Sequence, residues 1–352
     1  MWQPGRPFRE AYQRPIDAGI ENGRIVFFIH GGLNDQPGVV ARIKRFANQE
    51  LDGFEGQPWH LIHLAWDTSW GSAIDDIIGR LNSWRSWRNI LRLGSLLLPW
   101  NWFGWRRGLK SPTAHFGSII WRSEYDTAVA ATSAVGPRGL DRDGGFFRAI
   151  EYLSQRVAEG SDVQVSFVVH SAGAIVSNYI LRLIEVQFPN LSSKVRDYIL
   201  LAPACHLTHM QEALGATQPT GHTAVFTLSP ELELEDNIGV YDKSLLWAIY
   251  DLFEARWKEK DFRRYELPFD SSLPADDLRN RGLLGIEEQI ARVENNPTTL
   301  FSRSFGVGVA WAYTDADTSL GTFPKRVWTT SRTHGAFDDD RATLESVRVL
   351  LT

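Results

Sequence analysis

The chain holds a single cysteine, Cys205, so no disulfide can form within it and a reducing compartment is expected. It has no run of about eighteen uninterrupted apolar residues, the length that crosses a bilayer core, so no spanning helix is expected. Residues 1–15 lack the short apolar run of a secretory signal. These absences set the expectation of a cytoplasmic protein. Surplus positive charge is missing too: 37 Lys and Arg stand against 42 Asp and Glu, a net charge of −5. Nucleic acid is therefore not expected as a partner. With no internal repeat or low-complexity tract, the 352 residues read as one domain, 1–352.

One absence is local. From Ile77 to Arg122 there is no Asp or Glu, while Arg80, Arg85, Arg88, Arg92, Arg106, Arg107 and Lys110 are all basic. Of the 14 tryptophans, eight fall between Trp59 and Trp105. Trp84, Trp87, Ile90 and Leu91 recur at helical spacing, with Arg85, Arg88 and Arg92 on the other side, the pattern of a basic amphipathic helix. An apolar aromatic loop, Leu96 to Trp105, follows. Residues 72–122 read as an inserted helical cap. It either packs onto the body of the domain or covers a site and rests on an anionic membrane surface as well.

What is present is organised around Val163 to Tyr179. Val163 to Val169 is β-branched and aromatic, as a buried strand requires. Ile175, Val176, Tyr179 and Ile180 follow at helical spacing, and His170-Ser171-Ala172-Gly173 lies between. Further apolar strands are expected at Arg24–His30, Trp59–Trp66, Val195–Ala202, His222–Ser229, Phe305–Thr314 and Arg326–Thr330. Helical patterns are expected over Val39–Phe46, Ser244–Phe253 and from about Asp340 to the C-terminus, where Asp338 to Asp340 supply the cap. Residues 1–22, polar and proline-containing, read as a lead-in, and 257–304 as a surface excursion. Strands alternating with helices imply an α/β fold with a mostly parallel sheet covered on both faces.

A strand that turns at once into a helix with serine at the corner resembles the G-x-S-x-G nucleophile elbow of the α/β-hydrolase superfamily, with Val169 in place of the first glycine. His30-Gly31-Gly32-Leu33, after an apolar strand, resembles that family's oxyanion loop, and Thr333-His334-Gly335 its histidine loop. The order nucleophile, acid, histidine also agrees. The resemblance implies an α/β-hydrolase fold whose opening hairpin is missing or reduced, since only about twenty residues precede the first strand. It implies Ser171 as nucleophile, His334 as base and Asp236 as the acid, with Glu233 as second choice and Glu231 and Glu235 open. The oxyanion would be held by Ala172 and the Gly31, Gly32, Leu33 loop. His170 reads as a packing or supporting residue, not the base. Cys205, His206 and His209 lack a fourth ligand, so no metal is expected, and no cofactor is implied.

The activity implied is serine hydrolysis of a carboxylic ester with an apolar acyl group, esterase- or lipase-like. An acyltransferase or thioesterase would use the same triad. A reading from another class is a non-catalytic hydrolase-fold protein that binds membranes or partners through its Trp/Arg-rich insertion.

Overall fold

The computed structural model describes residues 7–32, 59–66, 118–119, 121–133, 144–236, 243–254, 282–286, 309–313 and 327–352. The helix expected over 39–46, most of the cap at 72–122 and most of the excursion at 257–304 lie outside the described residues.

Among the described residues, six strands form one sheet: β1 (Arg24–Ile29), β2 (His60–Leu64), β3 (Gln164–His170), β4 (Val195–Leu201), β5 (Thr223–Thr227) and β6 (Val309–Tyr313). Their order is β2-β1-β3-β4-β5-β6, and every neighbouring pair is parallel. The fold is therefore of the α/β class. A sheet covered on both faces needs strands that are apolar on both sides, and alternate residues divide accordingly. Phe27, Ile29, Phe167, Val169 and Leu200 join one buried cluster. Val26, Phe28, Val168, Ile199 and Phe226 join a second.

The first face is covered by α1 (Pro7–Glu21), a helical stretch α2 (residues 121–132), α3 (Gly145–Ala158), α4 (Gly173–Gln187) and α5 (Leu207–Ala216). Short helices α6 (Pro230–Glu235) and α7 (Leu245–Ala248) follow β5. The closing helix α8 (Arg341–Leu351) covers the second face with Leu344, Val347, Leu350 and Leu351.

Two expectations are corrected. The lead-in is the helix α1, which continues through Pro15. An interior proline removes a donor and strains the preceding turn, so local sequence argues against a helix there. Packing overrides it, because Ile16 is fully buried in the first cluster. The strand expected at Arg326–Thr330 does not form over its described part, Val327–Thr330, apart from a bridge residue at Thr329. The side chains of α8 take the polar groups a strand ladder would have used. Ser346 Oγ accepts from Trp328 N at 2.8 Å and donates to Trp328 O at 2.7 Å. Asp340 Oδ2 accepts from Thr330 N at 3.0 Å.

β2 lies on one side of β1 and β3 on the other. The sheet thus changes winding direction between β1 and β3, and such a switch point opens a crevice at the strands' C-terminal ends. Here those ends are His30-Gly31-Gly32 and His170-Ser171.

Candidate active site

Ser171 sits between β3 and α4 with φ of 52°. That left-handed conformation is rare outside glycine and costs of order 1–3 kcal/mol. It persists because the surrounding chain pins the residue. Ser171 N–H donates to Leu201 O at 2.9 Å, and Ser171 O accepts from Ala174 N–H at 3.1 Å and Ala204 N–H at 3.0 Å. The end of β4 therefore holds the corner. A β-carbon on Gly173 would fall 2.7 Å from both His30 O and Ile29 O. Only glycine lets α4 start this close to β1.

The β1 loop meets the corner directly. A β-carbon on Gly31 would lie 2.8 Å from Ser171 Cβ, and one on Gly32 would lie 3.0 Å from Ala172 Cβ. Ala172 is the N-cap of α4, where backbone N–H groups have no intrahelical acceptor. His30 is steadied by Trp66, whose indole Nε1–H donates to His30 O at 2.9 Å and whose backbone N–H donates to His30 Nε2 at 3.3 Å. Burial, with His30 nearby, pushes the His63 imidazole down to about 4, so it stays neutral. Leu33 lies outside the described residues.

His334 follows in a short 3-10 turn, His334–Ala336. Its Nε2 is 2.7 Å from Ser171 Oγ, with both residues buried. The structure therefore joins two residues 163 positions apart in the contact a serine nucleophile needs from its base. Asp236 arrives from the C-cap of α6, and its Oδ2 accepts from the backbone N–H of His334 at 2.8 Å. That bond ends on the main chain of His334, whereas the sequence reading placed the acid on its ring.

The remaining acids are drawn elsewhere. Glu233 is buried and accepts a hydrogen bond from Ser244 Oγ. Burial pushes its carboxyl from 4.5 up to about 8, with the Ser244 bond opposing and the charge of Asp236 adding to the rise. Asp236 is also raised by burial, against the pull of the His334 N–H. Glu231 is exposed, and exposed Glu235 pairs with Arg332 at 3.7 Å. The second-choice acid is thus engaged by Ser244, while Asp236 is the acid brought to His334.

Sequence reasoning missed other groups nearby. Asp338, taken as part of the helix cap, is fully buried with Oδ2 3.6 Å from His170 Nδ1. The cap itself is Asp340, which accepts from Thr343 N–H at 2.8 Å. Glu124, on α2, is 1 % exposed, and its Oε2 would lie 3.1 Å from a β-carbon on Gly32. Neither acid stands in a motif; both are brought in by the packing of distant segments.

His206 and His209 have structural surroundings. His206 Nε2 is 2.7 Å from Glu254 Oε1, which also accepts from Trp121 Nε1–H at 2.6 Å. His209 is held neutral by burial, and burial pushes the Cys205 thiol up to about 12. Among the described residues no group of three or more metal-ligating side chains comes together, and no helix is long and apolar enough to cross a membrane.

Set against protein-family models, curated proteins and solved structures, the chain gives no significant match to any of them. The functional reading therefore rests on the geometry and chemistry of the site.

Proposed function

We propose that the protein is a serine hydrolase of the α/β-hydrolase kind, which cleaves carboxylic esters through an acyl-enzyme. The observation that carries this reading is the 2.7 Å contact from Ser171 Oγ to His334 Nε2, made by a serine held at φ 52° between a strand and a helix. Backbone strain at a buried polar corner is a functional signal, because it survives only where surrounding structure enforces it. Further support comes from chain order: Ser171, Asp236 and His334 succeed one another as in that superfamily, at one edge of a parallel sheet.

The chemistry follows from these positions. His334 Nε2 takes the hydroxyl proton as Ser171 Oγ attacks the ester carbonyl carbon, forming a new C–O bond. The carbonyl π-pair moves onto oxygen, and the resulting oxyanion lies against the N–H of Ala172 and the Gly31-Gly32 loop. Collapse breaks the bond to the alcohol oxygen, which leaves with the proton from His334. Water then repeats the sequence on the acyl-enzyme and releases the acid, returning the proton to Ser171. Asp236 accepts from the main-chain N–H of His334, and its carboxylate charge beside the base stabilises the imidazolium.

A fluorophosphonate probe tests the reading. Covalent labelling at Ser171, with hydrolysis of p-nitrophenyl esters that Ser171→Ala abolishes, is the expected result. A well-folded protein that is neither labelled nor active on esters would instead be a binding module on this fold.

A further inference from the structure

His170 is the residue next to the nucleophile, and the proposed reaction gives it no task. Along β3, Phe167 and Val169 face the first cluster, and Val168 faces the second with Leu344 and Val347 of α8. His170 is two residues beyond Val168, so strand alternation sends its ring toward the second face. The segment entering α8 passes there. His170 Nε2 lies 3.1 Å from His334 O. A carbonyl can only accept, so Nε2 carries the proton and donates. On the other side of the ring, Nδ1 faces Asp338 Oδ2 at 3.6 Å. His170 is 3 % exposed and Asp338 0 %, so both side chains are enclosed in the packed interior.

Both main-chain polar groups of His334 are therefore held by side chains. Its N–H donates to Asp236 and its C=O accepts from His170. The geometry points to His170, backed by Asp338, as a positioning residue that sets the register between base and nucleophile. The inference rests on the hydrolase reading for its catalytic meaning. His170 is peptide-bonded to Ser171, so the donor that holds His334 moves with the serine it must reach. The clamp ties the loop 331–340, which has no ladder to fix it, to the strand that carries the nucleophile. Displacing reacting groups by about 1 Å costs on the order of 10²-fold in rate, so a clamp on the main chain of the base has a kinetic effect without touching substrate.

The test compares the full chain with His170→Gln and His170→Leu. Glutamine places an amide N–H as many bonds from Cβ as His170 Nε2, whereas leucine fills the space without a donor. With leucine, kcat on a p-nitrophenyl ester and the fluorophosphonate labelling rate at Ser171 should fall about 10²-fold, with KM near the parental value. Glutamine should recover most of both. Side-chain ¹⁵N NMR of the parent, with His170 assigned by its loss in His170→Gln, should show a protonated Nε2. Labelling of the leucine variant at the parental rate, equal losses in both variants, or an unprotonated Nε2 would each overturn the clamp. A folded parent that no fluorophosphonate labels would remove the hydrolase reading and the clamp's catalytic meaning, while the NMR result would still decide the bond itself.

Discussion

Glu233 gives the fold a pH dependence that can be read near neutral pH. It is 2 % exposed, and burial lifts its carboxyl from 4.5 to about 8. Between those values the folded protein keeps a proton that the unfolded chain has lost. Stability therefore falls as pH rises through that window and levels off above the folded value. Each unit of separation corresponds to about 1.4 kcal/mol, so the span bounds the loss at about 5 kcal/mol. Glu233→Gln keeps an oxygen to accept from Ser244 and has no charge to form. The variant should match or trail the parent near pH 5 and overtake it progressively toward pH 8, as read from urea midpoints across a pH series. Fluorophosphonate labelling at Ser171 should be unchanged, because Ser244, not His334, is the partner of Glu233. A stability difference that does not vary with pH would refute the buried-acid argument. Loss of labelling in Glu233→Gln would refute the assignment of the acid to Asp236.

Three further outcomes are expected. Ser171→Ala should abolish ester turnover with the fold retained, and Ser171→Gly, equally inactive, should be the more stable of the two by about 1 kcal/mol because glycine accepts the left-handed φ without strain; equal melting temperatures would count against strain at the corner. Gly173→Ala should cost about 1–3 kcal/mol in urea unfolding and slow labelling, since its methyl would force β1 away from the elbow; a neutral substitution would mean the close approach is not rigid. Asp236→Asn keeps an oxygen for the His334 N–H but loses the charge, so kcat should drop by several orders of magnitude with little change in melting temperature, and parental turnover would exclude Asp236 as the triad acid.

How far the sequence carries these arguments differs by element. The strands β1, β3, β4 and β5 were legible because a sheet buried on both faces leaves apolar runs between polar turns. The Ser171 corner was legible because the adjoining strand and helix have different periods, and the junction between them is short. The helix over residues 7–21 was hidden by Pro15, since its stability comes from burying Ile16 and not from local propensity. The strand expected at 326–330 does not form over its described part, 327–330, because β-branched and aromatic residues suit a strand through side-chain packing but do not fix its backbone partners, which here are the side chains of Ser346 on α8 and of its N-cap Asp340.

The site divides in the same way. Ser171, His334 and Asp236 were named from local motifs and their order, because a nucleophile corner, a histidine loop and a turn rich in acids each leave a local trace. Sequence also sets the α/β class, through alternating periods, and the need for glycine at 31 and 173. Only the tertiary structure decided which strands adjoin and therefore where the crevice opens. It alone separated the surroundings of Glu233 and Asp236, since both are acids of one short turn and only the packing sets Glu233 against Ser244 and Asp236 against the His334 main chain. It alone brought His170 and Asp338 together, because the approach of the end of β3 to the entry to α8 depends on which helix covers which face, and no local pattern encodes that.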